Sequence, residues 1–287
     1  MGLVLSQLGG LRKKVIMRNT VTKWVLLGVC FGCAISTPAQ STSHTNLAAL
    51  PSAAASSLAA VTKSKPFGNS LGMAFIPVPE SKTLMCIWEA RVRDYEAFVK
   101  AAGLTWHPPE FAQGQDHPAV KVSWSDAVAF CKWLTERERK AGLLTDKQSY
   151  RLPTDAEWSL AAGLKDEAGA APRDKDRKTP GVYPWGRQWP PPKGVGNFAA
   201  SLGVDDFEKT SPVGSFKPNS HGFYDLSGNV WEWCDDFYHG RDGQRVLRGG
   251  SWSIEGSDYL LSSRRFFYDP GQGNAYFGFR VVLVVQE

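Results

Sequence analysis

Residues 222–233 have the sequence GFYDLSGNVWEW, which is followed by RGGSW at 248–252 and GFR at 278–280. Two acids seven residues apart, Asp225 and Glu232, enclose a Gly-Asn turn and a tryptophan. Calcium binds six to eight oxygen atoms from carboxylates, carbonyls and water. The segment therefore predicts a cation-binding loop beside an aromatic core. Carboxylates that cap turns or pair with arginines explain the same residues equally well.

A second, weaker cation candidate lies in the irregular part of the chain. Between residues 165 and 209 the sequence is rich in Gly, Pro, Asp and Trp and has no helical period, so it needs internal ties. The pair Asn197-Phe198 and the run Asp205-Asp206-Phe207 place acids and an amide there. From the pattern alone, solvated turn residues are the preferred explanation.

The net charge of +5 does not indicate a nucleic-acid-binding protein. The chain has 33 basic and 28 acidic residues, and five of the basic ones lie in the first 39 residues, which contain no acid. The remainder therefore balances at 28 against 28, so no basic surface is expected. Nucleic acid is excluded as a partner on this ground.

Residues 1–39 have the pattern of an export signal, with Met17 as an alternative start. Basic residues precede an apolar run at 24–35, and Thr37 and Ala39 are small residues at the −3 and −1 positions of a cleavage site. The run is shorter than the roughly 20 residues that span a bilayer. We expect an exported protein, periplasmic or secreted. Membrane attachment through an uncleaved signal or a lipid anchor is the less favoured alternative.

The remaining chain is predicted to be a Ser/Ala-rich linker over 40–65 and one folded α+β domain over 66–287. Helices are predicted over 93–102 and 123–142, and a third follows the capping box that begins at Thr154. The nearly all-apolar run 279–285 predicts a central strand. Cleavage leaves three cysteines without CxxC or zinc spacing, which we interpret as small buried hydrophobic residues: Cys86, Cys131 and Cys234.

Further motifs follow one another in order: HPAV at 117–120, YRLPTDAEW at 150–158 and YPWG at 183–186. With the C-terminal motifs they resemble the sulfatase-modifying factor family, which includes the formylglycine-generating enzymes, over about 67–285. The resemblance implies a variant of the C-type-lectin-like fold. Such a fold is loop-rich, with few short helices and a small mixed sheet.

The resemblance also implies two calcium sites. The first would use the side chains of Asp225 and Glu232 and the carbonyls of Gly228 and Val230. The second would use the side chains of Asn197 and Asp205 and the carbonyls of Phe198 and Phe207.

The copper chemistry that the resemblance implies lacks its ligands in this chain. The formylglycine-generating enzymes that the sequence resembles use copper(I) and oxygen to oxidise a cysteine of a client sulfatase. Two cysteines bind the copper(I), and they lie three and eight residues after the serine of Gly-Gly-Ser. Ser251 is present here, but those positions are Ile254 and Tyr259. Copper(I) selects soft thiolate ligands, so we expect this chain not to use copper as a cofactor.

The loops that follow Ser251 are rich in aromatic residues, arginines and acids, a composition typical of recognition surfaces. We expect Tyr259, Arg264, Tyr268 and Tyr276 to rim a ligand cleft. Three functions stay open: a calcium-stabilised binding or accessory module, a metal-dependent oxidase of sulfatase cysteines with a non-standard site, and a receptor with diversified loops. The expected partner is a peptide, protein or glycan, with an exported sulfatase as one candidate.

Overall fold

The computed structural model describes Leu58 and residues 60–240 and 243–285. The predicted signal and residues 40–57 of the predicted linker lie outside the described residues. Leu58 and Val61 pack against the main hydrophobic core, and Lys63 Nζ donates a hydrogen bond to Ser220 O at 2.8 Å. The described end of the predicted linker therefore contacts the domain. In the described part of the chain, no helix has the length and apolar character needed to cross a bilayer.

Among the described residues the structure has four α-helices of 4 to 17 residues, separated by loops: α1 Val92–Ala102, α2 Trp124–Lys140, α3 Asp155–Ala161 and α4 Pro172–Lys175. Helix α2 begins at the predicted capping box, in which Ser123 Oγ accepts from the amide of Asp126 and the Asp126 carboxylate accepts from the amide of Ser123. Helix α3 begins with the same reciprocal pair between Thr154 and Glu157. These local interactions satisfy backbone N–H groups that a helix start leaves unpaired.

The strands in the described part of the chain form two sheets. Their bounds are β1 Phe67–Gly68, β2 Ala74–Pro77, β3 Thr83–Cys86, β4 Gln148–Arg151, β5 Trp231–Phe237, β6 Arg245–Arg248, β7 Phe266–Tyr268, β8 Phe277–Phe279 and β9 Val282–Val285. The first sheet is antiparallel, with the order β1-β2-β3-β9-β4. The second has the order β7-β6-β5-β8, and its β5/β8 pair is parallel. The architecture is α+β and dominated by loops.

The single strand predicted over 279–285 is two strands in different sheets. Strand β8 ends at Phe279 in the second sheet, and β9 begins at Val282 in the first. Arg280 lies between them and is fully buried, with its guanidinium bound to Glu232. The apolar run did predict the central position, because β9 lies between β3 and β4.

Buried arginines, rather than regular structure, connect the irregular region to the rest of the domain. The Arg265 side chain is fully buried and donates to both Asp155 carboxylate oxygens, at 3.1 and 3.0 Å, and to both Glu167 oxygens, at 2.5 and 2.6 Å. Arg248 contacts the same Asp155 carboxylate, and its guanidinium lies 4.3 Å from the Trp158 ring centroid. These ion pairs connect the irregular region to the domain, as the sequence predicted, and they contain no metal ion.

Candidate functional site

Glu232, one of the two acids predicted to bind calcium, pairs with an arginine. Arg280 donates to both of its carboxylate oxygens at 2.6 Å, and Trp158 Nε1 donates to Oε2 at 2.9 Å. The side chains of Glu232 and Arg280 are both fully buried. This is the arginine-pairing explanation that the sequence left open for Glu232.

Asp225 has a different environment, because one of its oxygens has no donor. Its Oδ2 accepts from the amide of Gly214 at 2.6 Å, whereas no described group donates to Oδ1. Burial, together with the charge of Glu232, raises the pKa of Asp225 to about 6. The residue has a φ of 56°, a left-handed backbone conformation that Asp tolerates better than most side chains.

Glu89 is a third buried acid in the same region and was not singled out by the sequence patterns. It lies between β3 and α1, is fully buried, and accepts from Asn229 Nδ2 at 3.3 Å through Oε1. Its Oε2 receives no hydrogen bond from a described donor. Burial and then the charges of Asp225 and Glu232 raise its pKa well above the ordinary range. The sequence feature that could have identified Glu89 is its position as the single acid within the apolar run Cys86 to Ala90.

The Gly228-Asn229 turn brings the two predicted calcium loops side by side. Asn197 forms a bridge with Gly228, and the amide of Asn229 donates to Asn197 O at 2.8 Å. Gly228 has a φ of 78°, and a Cβ there would overlap the Asn197 carbonyl oxygen. Only glycine fits this combination of conformation and close approach.

In the second predicted calcium set, the Asp205 carboxylate organises its own loop. Its two oxygens accept from the amides of Phe198 and Phe207, each at 2.9 Å. Asn197 is fully buried and donates through Nδ2 to Lys209 O at 2.7 Å, but its Oδ1 has no described donor. Asp205 therefore acts as a turn cap here, while Asn197 Oδ1 has a free acceptor capacity that suits a cation.

The predicted calcium ligands therefore differ in whether their oxygen atoms are free to bind a cation. Asp225 Oδ1 and Asn197 Oδ1 are buried acceptors with capacity for calcium, whereas Glu232 is bound to a guanidinium. Within residues 60–240 and 243–285, no three His, Cys, Asp or Glu side chains are grouped so that they could hold a metal ion. Carbonyl, amide and water oxygens would have to complete any calcium shell.

The region that the resemblance assigns to copper is built without thiols. Ser251 is almost fully buried, and its Oγ lies 3.1 Å from Ser253 Oγ. Ile254 is partly buried and packs against core residues, and its amide donates to Ser251 O at 3.0 Å. Tyr259 ends a 3₁₀ turn and is 45 % exposed. The residues present supply no soft ligand for copper(I), so copper does not fit this site.

The three described cysteines do not replace those ligands. All three are free and buried, and they lie on strand β3 (Cys86), helix α2 (Cys131) and strand β5 (Cys234). Burial raises the pKa of Cys86 to about 12 and raises the pKa of Cys131 and Cys234 as well. The buried-hydrophobe interpretation of these cysteines agrees with this placement.

Of the four residues predicted to rim a cleft, Tyr259 and Arg264 contact each other, whereas Tyr268 and Tyr276 have other neighbours. The Arg264 guanidinium lies 4.8 Å from the Tyr259 ring centroid and is bound to Asp176 at 2.7 Å. Tyr268 packs on Phe277, with 5.0 Å between the ring centroids. These contacts give Arg264 and Tyr268 structural roles.

Tyr276 belongs to an aromatic patch beside Ser251. Its ring lies 4.9 Å from that of Trp252, which also contacts Phe111 at 5.8 Å. Lys209 Nζ lies 4.4 Å from the Trp252 ring centroid. Tyr276 is 38 % exposed, so the patch offers aromatic and cationic surface to solvent. We call Phe111, Lys209, Trp252 and Tyr276 the Trp252 patch.

Together, the loop-rich α+β architecture, the Gly228 turn and the buried Glu232–Arg280 pair define a C-type-lectin-like protein of the formylglycine-generating enzyme type. A family model, the sulfatase-modifying factor enzyme 1-like domain, matches residues 81–285. The chain belongs to this family.

Curated relatives include both active and inactive members. The formylglycine-generating enzyme of Thermomonospora curvata is 34% identical over 166 residues, which are 53% of this chain and 46% of that protein. The inactive C-alpha-formylglycine-generating enzyme 2 of Bos taurus is 36% identical over 178 residues, covering 58% and 50%. The chain spans about half the length of these two relatives.

Solved structures confirm the fold. PvdO from Pseudomonas aeruginosa has a TM-score of 0.54 at 26% identity, covering 70% of this chain and 80% of that one. CarF has a TM-score of 0.53 at 25% identity, covering 71% and 87%.

Proposed function

We propose that this chain is an exported, calcium-stabilised binding or accessory module of its family and has no copper oxidase chemistry. The observation that carries the proposal is the presence of Ile254 and Tyr259 where the resemblance places copper-binding cysteines. An alkyl side chain has no donor atom, and a phenol is a hard ligand that copper(I) does not favour. Export is supported by the leader pattern of residues 1–39.

The remaining thiols support the same conclusion. Metal binding and nucleophilic attack require the thiolate, and a raised pKa keeps a buried thiol protonated at neutral pH. Cys86, Cys131 and Cys234 are buried and have raised pKa values. None of them is suited to take over the role of a copper ligand.

The Trp252 patch is the surface that would recognise a partner. Aromatic residues are enriched at protein interfaces because they bury a large area at a low entropic cost. Lys209 adds a positive charge over the Trp252 ring, which favours acidic groups on the ligand. A peptide, protein or glycan is the proposed ligand class, and a sulfatase is one candidate protein. The relative named as inactive supports an accessory role.

Two assays test this function. The first measures whether the protein takes copper(I) from a coloured chelator, and the second detects aldehyde formation on a cysteine-containing sulfatase peptide. We expect the wild-type protein to take no copper(I) from the chelator and to form no aldehyde. Tight copper(I) binding or aldehyde formation would refute the proposal.

A gain-of-function variant makes the experiment sharper. Ile254→Cys/Tyr259→Cys places two thiols at the positions that the resemblance assigns to copper, and we expect it to acquire copper(I) binding. The matched control is Ser253→Cys/Asp258→Cys, which adds two exposed thiols at the same spacing. Equal copper binding by the two variants would show that the scaffold does not select those positions.

A further inference from the structure

The YPWG motif of residues 183–186 forms one wall of a cavity to which the proposed function assigns no role. Tyr183 and Gly186 pair through two backbone hydrogen bonds, of 2.8 and 2.9 Å, which close the motif into a tight turn. The rings of Tyr183 and Trp185 line the cavity and stack with 4.6 Å between their centroids and 4° between their planes. Trp185 Nε1 donates to Gln188 O at 3.0 Å, which fixes the orientation of this ring. The wall is therefore a preformed aromatic surface.

A second wall of the cavity, residues 217–221, is held in place by Asn219. The Oδ1 atom of Asn219 accepts from the three backbone amides of residues 221–223, each at 3.1 Å. Its Nδ2 atom donates to Ala161 O at 2.7 Å, which connects this wall to helix α3. A loop with these internal hydrogen bonds keeps its shape without a ligand, so a ligand would not have to order it.

Two side chains of this second wall are free to bind a ligand. Lys217 is exposed and His221 is half-buried, and both line the cavity. Within the described part of the chain, no hydrogen bond or ion pair engages Lys217 Nζ or the ring nitrogens of His221. An ammonium group and an imidazole N–H both donate hydrogen bonds, and donation to an anionic acceptor is the strongest kind. This rim of the cavity therefore favours a ligand with a negative charge.

The buried end of the cavity favours hydroxyl groups instead. Ser227 lines this end and is 5% exposed, and its Oγ is a buried atom without a described hydrogen-bond partner. A ligand hydroxyl both donates and accepts, so it would satisfy this atom. The Asp225 carboxylate lines the same end and repels an anionic group there. A fitting ligand therefore carries hydroxyl groups at one end and its negative charge at the other.

The size and the aromatic wall of the cavity agree with a sugar. The cavity has a volume of about 560 Å³, and sites for small molecules usually have about 300–1,000 Å³. One face of a pyranose consists of C–H groups, which pack on the electron-rich face of an aromatic ring, while the hydroxyl groups form hydrogen bonds at the edge. An acidic aromatic compound would also stack, but it would leave the Ser227 hydroxyl without a partner.

We propose that this cavity binds an acidic sugar, which is a pyranose that bears a carboxylate or a sulfate group. The C–H face of the sugar packs against Tyr183 and Trp185. Lys217 and His221 donate to the anionic group, and Ser227 Oγ forms a hydrogen bond with a ring hydroxyl. Among the described residues, the cavity and the Trp252 patch share no side chain, so this is a second binding site and goes beyond the proposed function.

Calorimetric titration of the purified protein with methyl glucuronide, glucose 6-sulfate and methyl glucoside tests the proposal. The three probes share a pyranose ring, and only the first two are anionic. We expect at least one anionic sugar to bind about 3–10-fold more tightly than the neutral one, which is the worth of one hydrogen bond to the charged group at a solvated rim. A fixed calcium concentration keeps Asp225 in the same state throughout. Absence of binding, equal Kd values for the three sugars, or tighter binding of benzoate would overturn the proposal.

Variants of the two walls locate the site. Lys217→Gln should raise the Kd of the anionic sugars about 3–10-fold and leave that of methyl glucoside unchanged. Lys82→Gln is the control, because Lys82 is exposed and does not line the cavity. Trp185→Ala should weaken the binding of all three sugars, whereas Trp189→Ala, which removes a neighbouring ring outside the cavity lining, should keep it. If Trp252→Ala abolishes binding and Trp185→Ala retains it, the sugar binds at the Trp252 patch and the proposed site is wrong.

Ser227→Ala distinguishes a binding role from a structural one. Removal of a buried hydroxyl that has no partner should leave the Tm equal to or above that of the wild type. Loss of the hydrogen bond to the sugar should at the same time raise Kd about 3–10-fold. A lower Tm with an unchanged Kd would mean that the hydroxyl is structural, and the proposed placement of the sugar would be refuted.

Discussion

Asp155→Asn should destabilise the domain strongly, because Asp155 neutralises two arginines that have no access to water. The side chains of Arg248 and Arg265 are fully buried, and that of Asp155 is 3% exposed. Burial alone would raise the pKa of Asp155, yet the charges of Arg248 and Arg265 hold it below its ordinary value. The carboxylate is therefore ionised in the folded protein at neutral pH.

The size of the effect follows from the charge that the substitution leaves behind. Arg248 and Arg265 are balanced by Asp155 and Glu167, so Asp155→Asn leaves one buried positive charge in excess. Removing one partner of a buried ion pair costs about 3–5 kcal/mol. For a domain of 150–250 residues each kcal/mol lowers Tm by about 2–4 °C, which predicts a fall of about 6–20 °C.

Urea unfolding followed by tryptophan fluorescence measures this loss, and Glu110→Gln in its exposed pair with Lys121 is the control. The control should have no measurable effect on the midpoint. Arg248→Met added to Asp155→Asn removes the excess charge and should recover part of the loss. A fall in the urea midpoint for Asp155→Asn no larger than that of the control would refute the electrostatic account of this network.

Two more predictions concern the turn and the acid limit of stability. Gly228→Ala should lower the unfolding free energy by about 1–3 kcal/mol more than Gly194→Ala in urea titrations, because only at Gly228 would the new Cβ overlap a backbone carbonyl. Gly194 has a matching φ of 77° with no atom within 4 Å, so equal losses would refute the steric argument. In acid, Glu157 and Glu167 have folded pKa values below normal because Arg151 and Arg265 outweigh the effect of burial. Their contribution to stability is complete above the unfolded pKa of about 4.3 and is lost as the pH falls through the lower folded values. Tm measured from pH 6 to pH 2 should fall most steeply below about pH 4, and a flat profile there would contradict this assignment.

Local sequence chemistry predicted the helix starts well. The boxes at Ser123 and Thr154 use residues three positions apart, so their hydrogen bonds depend on local backbone geometry alone. Nothing comparable indicated that Arg265 would bind Asp155, 110 residues away. In a loop-rich fold such pairs follow no period in the sequence.

The same distinction applies within the candidate site. The motifs of residues 222–233 predicted a tight turn flanked by two acids, beside an aromatic core. They did not predict which acid would form an ion pair with an arginine, because Arg280 follows Glu232 by 48 residues. Glu89, which contacts Asn229 across 140 residues, had no motif to mark it.

The sequence by itself determined the family, the α+β loop-rich fold, the capped helices and the presence of Ile254 and Tyr259 in place of cysteines. These properties depend on residue identity and on short spacings. Only the tertiary structure decided that Glu232 pairs with Arg280 and that the buried Glu89 accepts from Asn229. The reason is that the charge balance of a buried site depends on which distant side chains the fold brings together.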